Sequence, residues 1–413
     1  MAVVGDLAVV DREALAARIP ALVAHLAWVP DPRDPRGVRH SLVSLLATAV
    51  AATIAGARSL AAIAEWAADP GMTAELLEAL QVRFDPLSRR FEVPDEATFR
   101  DVLERLDASA FTAATSAWLG ELADLRDGAG QQAGARPPIR TGRPKQESVA
   151  VDGKALRGTR HHTASGRARH LLAAVGTRLG RLMGQVEVDG KTNELSAFRP
   201  LLEPLDLTDR VVTADALHTQ RDHAAFLVTE KHAHFILVVK KNQRSLYHQL
   251  KALPWRKIPV GHTEDHHGHG RTERRGIKIC SLAEGLLFPH AHQAICITRR
   301  VRPRTGGRWT TVTVYAVTSL NAHQATAAQI ARWIRSHWRI EALHHIRDVT
   351  YREDHSQIRT GSGPAVMAAL RSLAITILKF CGWTNIAKAN RHHHKDPRRC
   401  LATLGLTNRH QGR

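Results

Sequence analysis

The sequence predicts an α/β protein in which an all-helical N-terminal region precedes a mixed β-sheet with a β-rich insertion. Three observations support this prediction. Apolar residues recur at helical spacing over the first 125 residues. A segment rich in Gly, Pro, Gln and Arg follows, and beyond it short apolar runs have the spacing of strands. Helical segments separate several of these runs, and helical spacing returns after residue 320.

The N-terminal region, residues 1–125, shows helical spacing at positions such as Leu15, Ile19, Leu22 and Leu26. Residues 41–57 are uncharged and rich in alanine, but they fall short of the roughly 20 strongly apolar residues that a membrane span needs. We therefore expect a buried helix there and no membrane association. The composition of residues 126–147 indicates a linker.

The segments after the linker have a characteristic order. Strands are predicted over residues 148–152, 170–175, 182–188, 210–215 and 234–239, with helices over 194–202 and 221–230. Three strands, a helix, a strand, a helix and a strand are the order of a ribonuclease H-like core. We assign its first part to residues 148–252, the β-rich insertion to 253–320, the helical C-terminal part to 321–382 and a loosely packed basic tail to 383–413.

The charge balance predicts a polyanionic partner. The chain has 58 Lys and Arg against 39 Asp and Glu, a net charge of +19, and its basic residues are spread from Arg33 to Arg413. A broad positive surface favours nucleic acid over a membrane. The four cysteines are widely spaced, which predicts neither disulfides nor a zinc finger, and no signal sequence opens the chain. We therefore expect a cytoplasmic, nucleoid-associated protein.

Two aspartates occupy equivalent positions at the ends of core strands. Asp152 follows the apolar run 149–151, and Asp215 follows the run 211–214. Carboxylates are the ligands that hard divalent cations prefer, and paired cations of this kind cut phosphodiester bonds. A third acid, Glu341, lies on a predicted helix about one turn after Trp338. Glu353 and Asp354 compete with Glu341 for this role.

Several ordered blocks make the sequence similar to a known family. They are VAVDGKALRG (149–158), KTNE (191–194), VTADALHTQ (212–220), KKNQ (240–243), HGRTERR (269–275) and RSHWRIE (335–341). Together they resemble the transposases of ISAs-type bacterial insertion sequences, which include the H-repeat-associated proteins. The resemblance runs from about residue 31 to residue 382.

The resemblance implies a DDE transposase that cuts the ends of an insertion sequence and transfers the strands into target DNA. It places the acidic triad on Asp152, Asp215 and Glu341, which would hold two Mg²⁺ or Mn²⁺ ions. It also implies binding of double-stranded DNA, at the terminal inverted repeats and the target, and a homodimer or higher oligomer in the synaptic complex. We interpret the helical N-terminal domain as the DNA-end binding domain.

Basic and polar residues near the triad in sequence are candidate DNA contacts: Lys154, Arg157, Lys240, Lys241, Asn242, Gln243, Arg335, His337 and Arg359. His266, His267 and His269 are interpreted as a solvated or DNA-facing loop, because no cysteine pair accompanies them. Residues 190–192 only partly match a phosphate-binding loop, so no nucleotide cofactor is expected. The alternatives are a nuclease of the same fold and a catalytically silent or domesticated DNA-binding protein.

Overall fold

The computed structural model describes residues 22–128, 147–163, 166–188, 194–268, 270–282 and 288–406. Its N-terminal part is built from helices, several of which begin at side chains that accept a backbone N–H. Ser41, Ser59 and Asp95 cap their helices in this way. Within residues 22–128 the α-helices are α1 (Leu22–Leu26), α2 (Leu42–Ile54), α3 (Leu60–Ala67), α4 (Ala74–Ala79), α5 (Glu96–Arg105) and α6 (Ala108–Gly128).

The N-terminal part also contains a feature that apolar spacing did not predict. Two short strands, β1 (Phe84–Asp85) and β2 (Arg90–Phe91), pair antiparallel between α4 and α5. Each strand has only two residues, which is too short to show a period in the sequence. The region is therefore mainly, but not entirely, helical.

Nine strands form one mixed sheet in the order β5-β4-β3-β6-β7-β11-β10-β9-β8. Strand β3 pairs parallel with β6, which pairs parallel with β7, and all the other pairs are antiparallel. The strands are β3 (Ser148–Leu156), β4 (Arg169–Gly176), β5 (Arg181–Val188), β6 (Val211–Ala214), β7 (His234–Val239), β8 (His262–Gly268), β9 (Arg271–Ser281), β10 (Gln293–Pro303) and β11 (Thr310–Thr318).

Eight helices accompany the sheet. Three lie between its strands in sequence: α7 (Glu194–Leu202), α8 (Arg221–Ala225), which continues as a π-helical turn over Phe226–Glu230, and α9 (Arg244–Ala252). Five follow the last strand: α10 (Ala327–Ser336), α11 (Trp338–Val349), α12 (Gly363–Phe380), α13 (Ile386–His394) and α14 (Pro397–Thr403).

The largest hydrophobic cluster joins the N-terminal helices, one face of the sheet and the C-terminal helices. The α2 helix is buried along almost its whole length, as the uncharged segment 41–57 predicted, and it packs against α12. Tyr351 is fully buried and donates a hydrogen bond to the carbonyl of Thr53 at 3.2 Å. Length and composition alone would allow α12 to cross a membrane, but 89% of it is buried inside the protein.

Two segments are organised in ways that the sequence patterns did not predict. The β-rich segment continues the core sheet, because β11 pairs with β7 and extends that sheet through β10, β9 and β8. The segment expected to be a loose basic tail contains α13 and α14, which bury Ile386, Ala389, Cys400 and Leu401 in the main core. The segment has many basic residues and few apolar ones, so the helical spacing of the apolar residues was not recognised in the sequence.

Candidate active site

Asp152 and Asp215 lie side by side because their strands pair in register. On the parallel strands β3 and β6, Val151 is opposite Ala214, so the next residue on each chain is an aspartate. Neighbouring strands are about 4.8 Å apart, which brings the two backbones together at this point. The carboxylate of Asp215 also accepts the N–H of Leu217 at 2.8 Å and caps the turn Ala216–His218.

Glu341 approaches the same face of the sheet on α11. The junction between α10 and α11 is held against the strands by two side-chain contacts. Ser336 Oγ lies 2.8 Å from Ser148 Oγ at the start of β3, and His337 Nδ1 lies 3.0 Å from Thr213 Oγ1 on β6. Because side chains alternate along a strand, the residues that contact the helices share a face with Asp152 and Asp215.

Electrostatic effects relate Glu341 to Asp152, and His337 to both aspartates. Partial loss of hydration and the negative charge of Asp152 both raise the pKa of Glu341, whereas Lys240 opposes the rise. Burial lowers the pKa of His337, and the charges of Asp152 and Asp215 oppose this change. Glu341 therefore lies within electrostatic reach of Asp152, and His337 within reach of both aspartates.

A second histidine on α11 contacts the first aspartate. His344 Nδ1 lies 3.6 Å from Asp152 Oδ2, while its Nε2 is buried without a hydrogen-bond partner. Burial lowers the pKa of His344, so the imidazole is held towards its neutral form, although Asp152 acts in the opposite direction. A neutral imidazole leaves the negative charge of Asp152 uncompensated.

The chemistry of these side chains fits divalent cations, although their arrangement is open. Within the described ranges, none of the three carboxylates forms an ion pair with a lysine or an arginine. The same part of the chain contains no group of three His, Cys, Asp or Glu side chains close enough to hold a metal ion. Asp152, Asp215 and Glu341 thus supply oxygen ligands and unbalanced negative charge, and they would have to draw closer around a cation.

A buried cluster of Glu194, His170 and His218, the Glu194 cluster, packs against Gly153, the residue after Asp152. Glu194 Oε1 lies 2.6 Å from His170 Nε2, and Glu194 Oε2 lies 3.5 Å from His218 Nε2. Burial raises the pKa of Glu194, but the two histidines lower it more, to about 2. Only a glycine fits at position 153 without a shift of the cluster, because a Cβ there would be 2.4 Å from His170 Nε2.

Glu353 and Asp354, the two competing candidates for the third acidic residue, both face basic side chains. Its carboxylate is fully buried, 2.7 Å from Arg347 Nη2 and 3.0 Å from Arg371 Nη1. Burial raises the pKa of Glu353, and the two arginines lower it more, to about 2. Asp354 faces Lys154 and Arg157 at 3.8 and 3.7 Å. Both acids therefore have basic partners, unlike Glu341.

Three of the candidate DNA contacts have partners within the fold. Lys154 is only 8% exposed, and its Nζ donates to both carboxylate oxygens of Asp348 at 2.7 Å. Asn242 donates to the carbonyl of Ala216, and Gln243 donates to that of Thr219. These two amides stabilise the turn after Asp215, so fewer of their hydrogen-bonding groups remain available to DNA.

The remaining candidates are distributed around the acidic residues. Lys240 and Lys241 are exposed immediately after β7, and the side chain of Arg157 is 77% exposed. Arg335 is bound to Glu264 of β8, and His337 and Arg359 are half-buried. Trp338, one turn before Glu341, is 65% exposed. His266 and His267 lie on strand β8 rather than in a loop, and His269 and residues 191–193 lie outside the described residues.

Sequence reasoning missed several residues of the site. His344 was not singled out, although it lies three residues after Glu341 and so on the same side of the helix. His170 gave no signal, because its contact with Glu194 depends on the pairing of β4 with β3. The KTNE block pointed to Glu194 only through the family resemblance. All four cysteines are free, as their spacing predicted.

Fold and site together define an enzyme of the DDE transposase class. Residues 143–377 match the family Transposase DDE domain, and residues 23–119 match the family DDE_Tnp_1-associated. The first match covers more than half of the chain, so the protein belongs to the Transposase DDE domain family. It is a DNA transposase, an enzyme that cleaves DNA and transfers strands, and enzymes of this family depend on divalent metal ions.

Named relatives are consistent with this membership. The chain is 28% identical to "Putative transposase YncI" of Escherichia coli O157:H7 over 382 residues, which cover 88% of each protein. It is 25% identical to "H repeat-associated putative transposase YhhI" of Escherichia coli (strain K12) over 369 residues, 86% of this chain and 90% of the relative. A chain of the piggyBac transposase synaptic complex with hairpin DNA aligns with 95% of this chain and 82% of its own length, at 13% identity and a TM-score of 0.36.

Proposed function

We propose that Asp152, Asp215 and Glu341 are the catalytic carboxylates of this transposase and that they belong to a ribonuclease H-like core. The observation that carries the proposal is the parallel register of β3 and β6, which places two aspartates side by side at one end of the sheet. The order β5-β4-β3-β6-β7, in which β3, β6 and β7 are parallel to one another and β4 is antiparallel to both of its neighbours, supports the proposed core. Glu341 faces this end from α11.

Two Mg²⁺ or Mn²⁺ ions are the proposed cofactors. Asp152 is next to Asp215 across the strands and within electrostatic reach of Glu341, so it would share both ions, while Asp215 and Glu341 would each hold one. Bound ions of this kind activate the attacking oxygen and stabilise the charge that develops on the leaving oxygen. The chain itself holds Asp152 and Asp215 at fixed strand positions, and His337 fastens the α10–α11 junction that carries Glu341.

Exposed residues around the carboxylates are the proposed DNA contacts. Lys240, Lys241 and Arg157 would neutralise phosphates next to the reacting one, because they flank the acidic residues and remain open to solvent. The exposed ring of Trp338 stands one turn before Glu341 and would pack against the sugar or base of the reacting nucleotide. These contacts would position the scissile phosphate over the carboxylates.

The proposed substrates are the terminal inverted repeats of the element and a target duplex. Recognition of the ends is assigned to the helical N-terminal domain. Two ends must react together, so we propose that a homodimer or higher oligomer forms the synaptic complex in the cytoplasm, at the nucleoid. A joined product, in which a free 3′-OH has attacked a second duplex, separates this function from that of a simple nuclease.

Substitution of Asp152→Asn tests the proposal. The amide keeps the size of the side chain but loses the charge that binds a cation, so we expect loss of end cleavage while binding of end DNA persists. Cleavage of a labelled duplex that carries the element's ends would be measured with Mg²⁺ and with Mn²⁺. Asp222→Asn, in exposed α8, is the matched control and should cleave normally. An Asp152→Asn enzyme that still cuts DNA would contradict the assignment.

A further inference from the structure

The far strands of the sheet project beyond β7 at the end that carries the two aspartates. The parallel strands β6 and β7 end at this edge, and the last pair between β7 and β11 is Val239 with Tyr315. Residues 310–314 of β11 continue past that pair, together with residues 297–303 of β10 and 271–277 of β9. At about 3.3 Å per residue, this extension reaches roughly 20 Å past the end of β7.

One face of the extension belongs to the same side of the sheet as the candidate active site. Ile277 of β9 and Ile295 of β10 pack with Val211 of β6 and Trp333 of α10 in one hydrophobic cluster. Side chains alternate along a strand, so every second residue from these positions shares their face. On β6 this rule gives Asp215. On the extension it gives Arg271, Glu273, Arg275 and Arg299.

These four residues form a charged cluster that we call the Glu273 cluster. Glu273 is nearly buried, with a side-chain exposure of 7%, and Arg299 Nη2 donates to its Oε2 at 2.8 Å. Arg275 is hydrogen-bonded to Oε1, and Arg271 Nε lies 3.9 Å from Oε2. Although burial raises the pKa of Glu273, the hydrogen bonds from Arg299 and Arg275 lower it to about 2. The carboxylate therefore stays ionised and holds the arginines in place.

The cluster has an excess of positive charge that faces solvent. Three arginines share one carboxylate, which leaves a net charge of two, and their side chains are 49%, 38% and 40% exposed at positions 271, 275 and 299. Guanidinium groups that are already oriented lose less conformational entropy when they bind phosphate oxygens. Three residues of the cluster come from the HGRTERR block. Glu273 lies between Arg271 and Arg275 on the same face of β9.

We propose that the Glu273 cluster binds the phosphate backbone of duplex DNA that leads away from the active site. Three strand spacings across the sheet and four residues along β10 separate Asp215 from Arg299, a distance on the order of 20 Å. Successive base pairs of duplex DNA rise by about 3.4 Å along the helix axis, so a contact displaced along that axis falls about six base pairs from the reacting phosphate. The distance rests on the proposed role of Asp215 as a catalytic residue.

The salt dependence of DNA binding tests the proposal, because each phosphate neutralised adds about 0.9 to the slope of log affinity against log salt. The test variant carries Arg271→Gln, Arg275→Gln, Arg299→Gln and Glu273→Gln, which removes the buried acid together with its partners and lowers the net charge by two. The control carries Arg300→Gln and Arg302→Gln, which also lowers it by two. Arg300 and Arg302 lie on the opposite face of the same hairpin, against Trp309.

Binding of a labelled mixed-sequence duplex would be measured by fluorescence anisotropy over a series of salt concentrations. We expect the slope to fall by about two to three in the test variant and by less than one in the control. Equal changes in the two variants would overturn the proposal, because they would reflect net charge rather than this face. An unchanged slope in a test variant whose circular dichroism matches the wild type would overturn it as well.

Sedimentation of the same proteins checks the other possible occupant, a second copy of this chain. A shift in oligomeric state in the test variant, with the DNA slope unchanged, would assign the cluster to self-association and overturn the proposal. The binding measurement requires no cleavage. A wild-type protein that binds DNA but does not cut it would therefore contradict the proposed function and leave this test valid.

Discussion

Two glutamates, only 12 positions apart in sequence, occupy opposite environments. The difference distinguishes a carboxylate that stabilises the fold from one that is available to bind a cation. Glu353 is buried between Arg347 and Arg371, which lower its pKa to about 2. Glu341 is exposed and has no basic partner among the described residues, and its pKa is raised by partial loss of hydration and by the charge of Asp152. A carboxylate whose charge is satisfied within the fold stabilises it, whereas one left unsatisfied is available to a cation.

The largest expected effect is loss of activity in Glu341→Gln. A metal ion supplies several kcal/mol of transition-state stabilisation, and each 1.4 kcal/mol is tenfold, so cleavage should fall on the order of a thousandfold. The free energy of unfolding should change by no more than about 0.5 kcal/mol, because the side chain is exposed. Single-turnover cleavage and urea denaturation measure the two quantities. A stable variant with full activity would remove Glu341 from the site.

The opposite pattern is expected for Glu353→Gln. Removing this charge leaves Arg347 and Arg371 buried without their partner, which should cost about 3–5 kcal/mol of unfolding free energy. Denaturant unfolding of the variant beside Glu341→Gln makes the comparison direct. If Glu353→Gln were as stable as the wild type, the contrast between the two glutamates would fail.

A smaller loss of unfolding free energy is expected for a substitution at Gly153, where the strand position after Asp152 packs against Glu194 and His170. In Gly153→Ala the added methyl group would lie 2.4 Å from His170 Nε2 and 2.7 Å from Glu194 Oε1, so buried side chains must shift. Overpacking of this kind costs about 1–3 kcal/mol of unfolding free energy. The control is Gly37→Ala, whose new methyl group meets nothing within 4 Å. Equal stability of the two variants would contradict the close packing behind Asp152.

The smallest effect concerns pH. The folded pKa of Glu353, about 2, is below its ordinary value of 4.5, so its stabilisation is complete above pH 4.5 and is lost as pH falls towards 2. Near pH 4.5 this residue contributes a slope of roughly 0.7 kcal/mol per pH unit to the unfolding free energy. Glu353→Gln should therefore show a shallower acid loss than Glu341→Gln. Identical slopes would contradict the depressed pKa.

The sheet shows which parts of the fold can be predicted from local sequence patterns. Apolar runs predicted β3, β4, β5, β6 and β7 and the helices between them, because strand and helix periods are local properties of the chain. The continuity of β7 with β11 was not predicted, since residues 236–239 and 315–318 pair across a long stretch of sequence. The packing of α13 and α14 was missed for a related reason, because a basic composition conceals a few apolar residues at helical spacing.

The sequence by itself determined the apolar runs that precede Asp152 and Asp215, the strongly basic charge and the family likeness. The expected strand end was correct at Asp215 and wrong at Asp152, because β3 continues to Leu156 in its pairing with β4. Only the tertiary structure decided which acids are free: it buried Glu353 between arginines, left Glu341 exposed beside Asp152, and turned Lys154 inward to Asp348. The physical reason is that the state of a carboxylate depends on burial and on charges within a few ångströms, and neighbours in space are not neighbours in sequence.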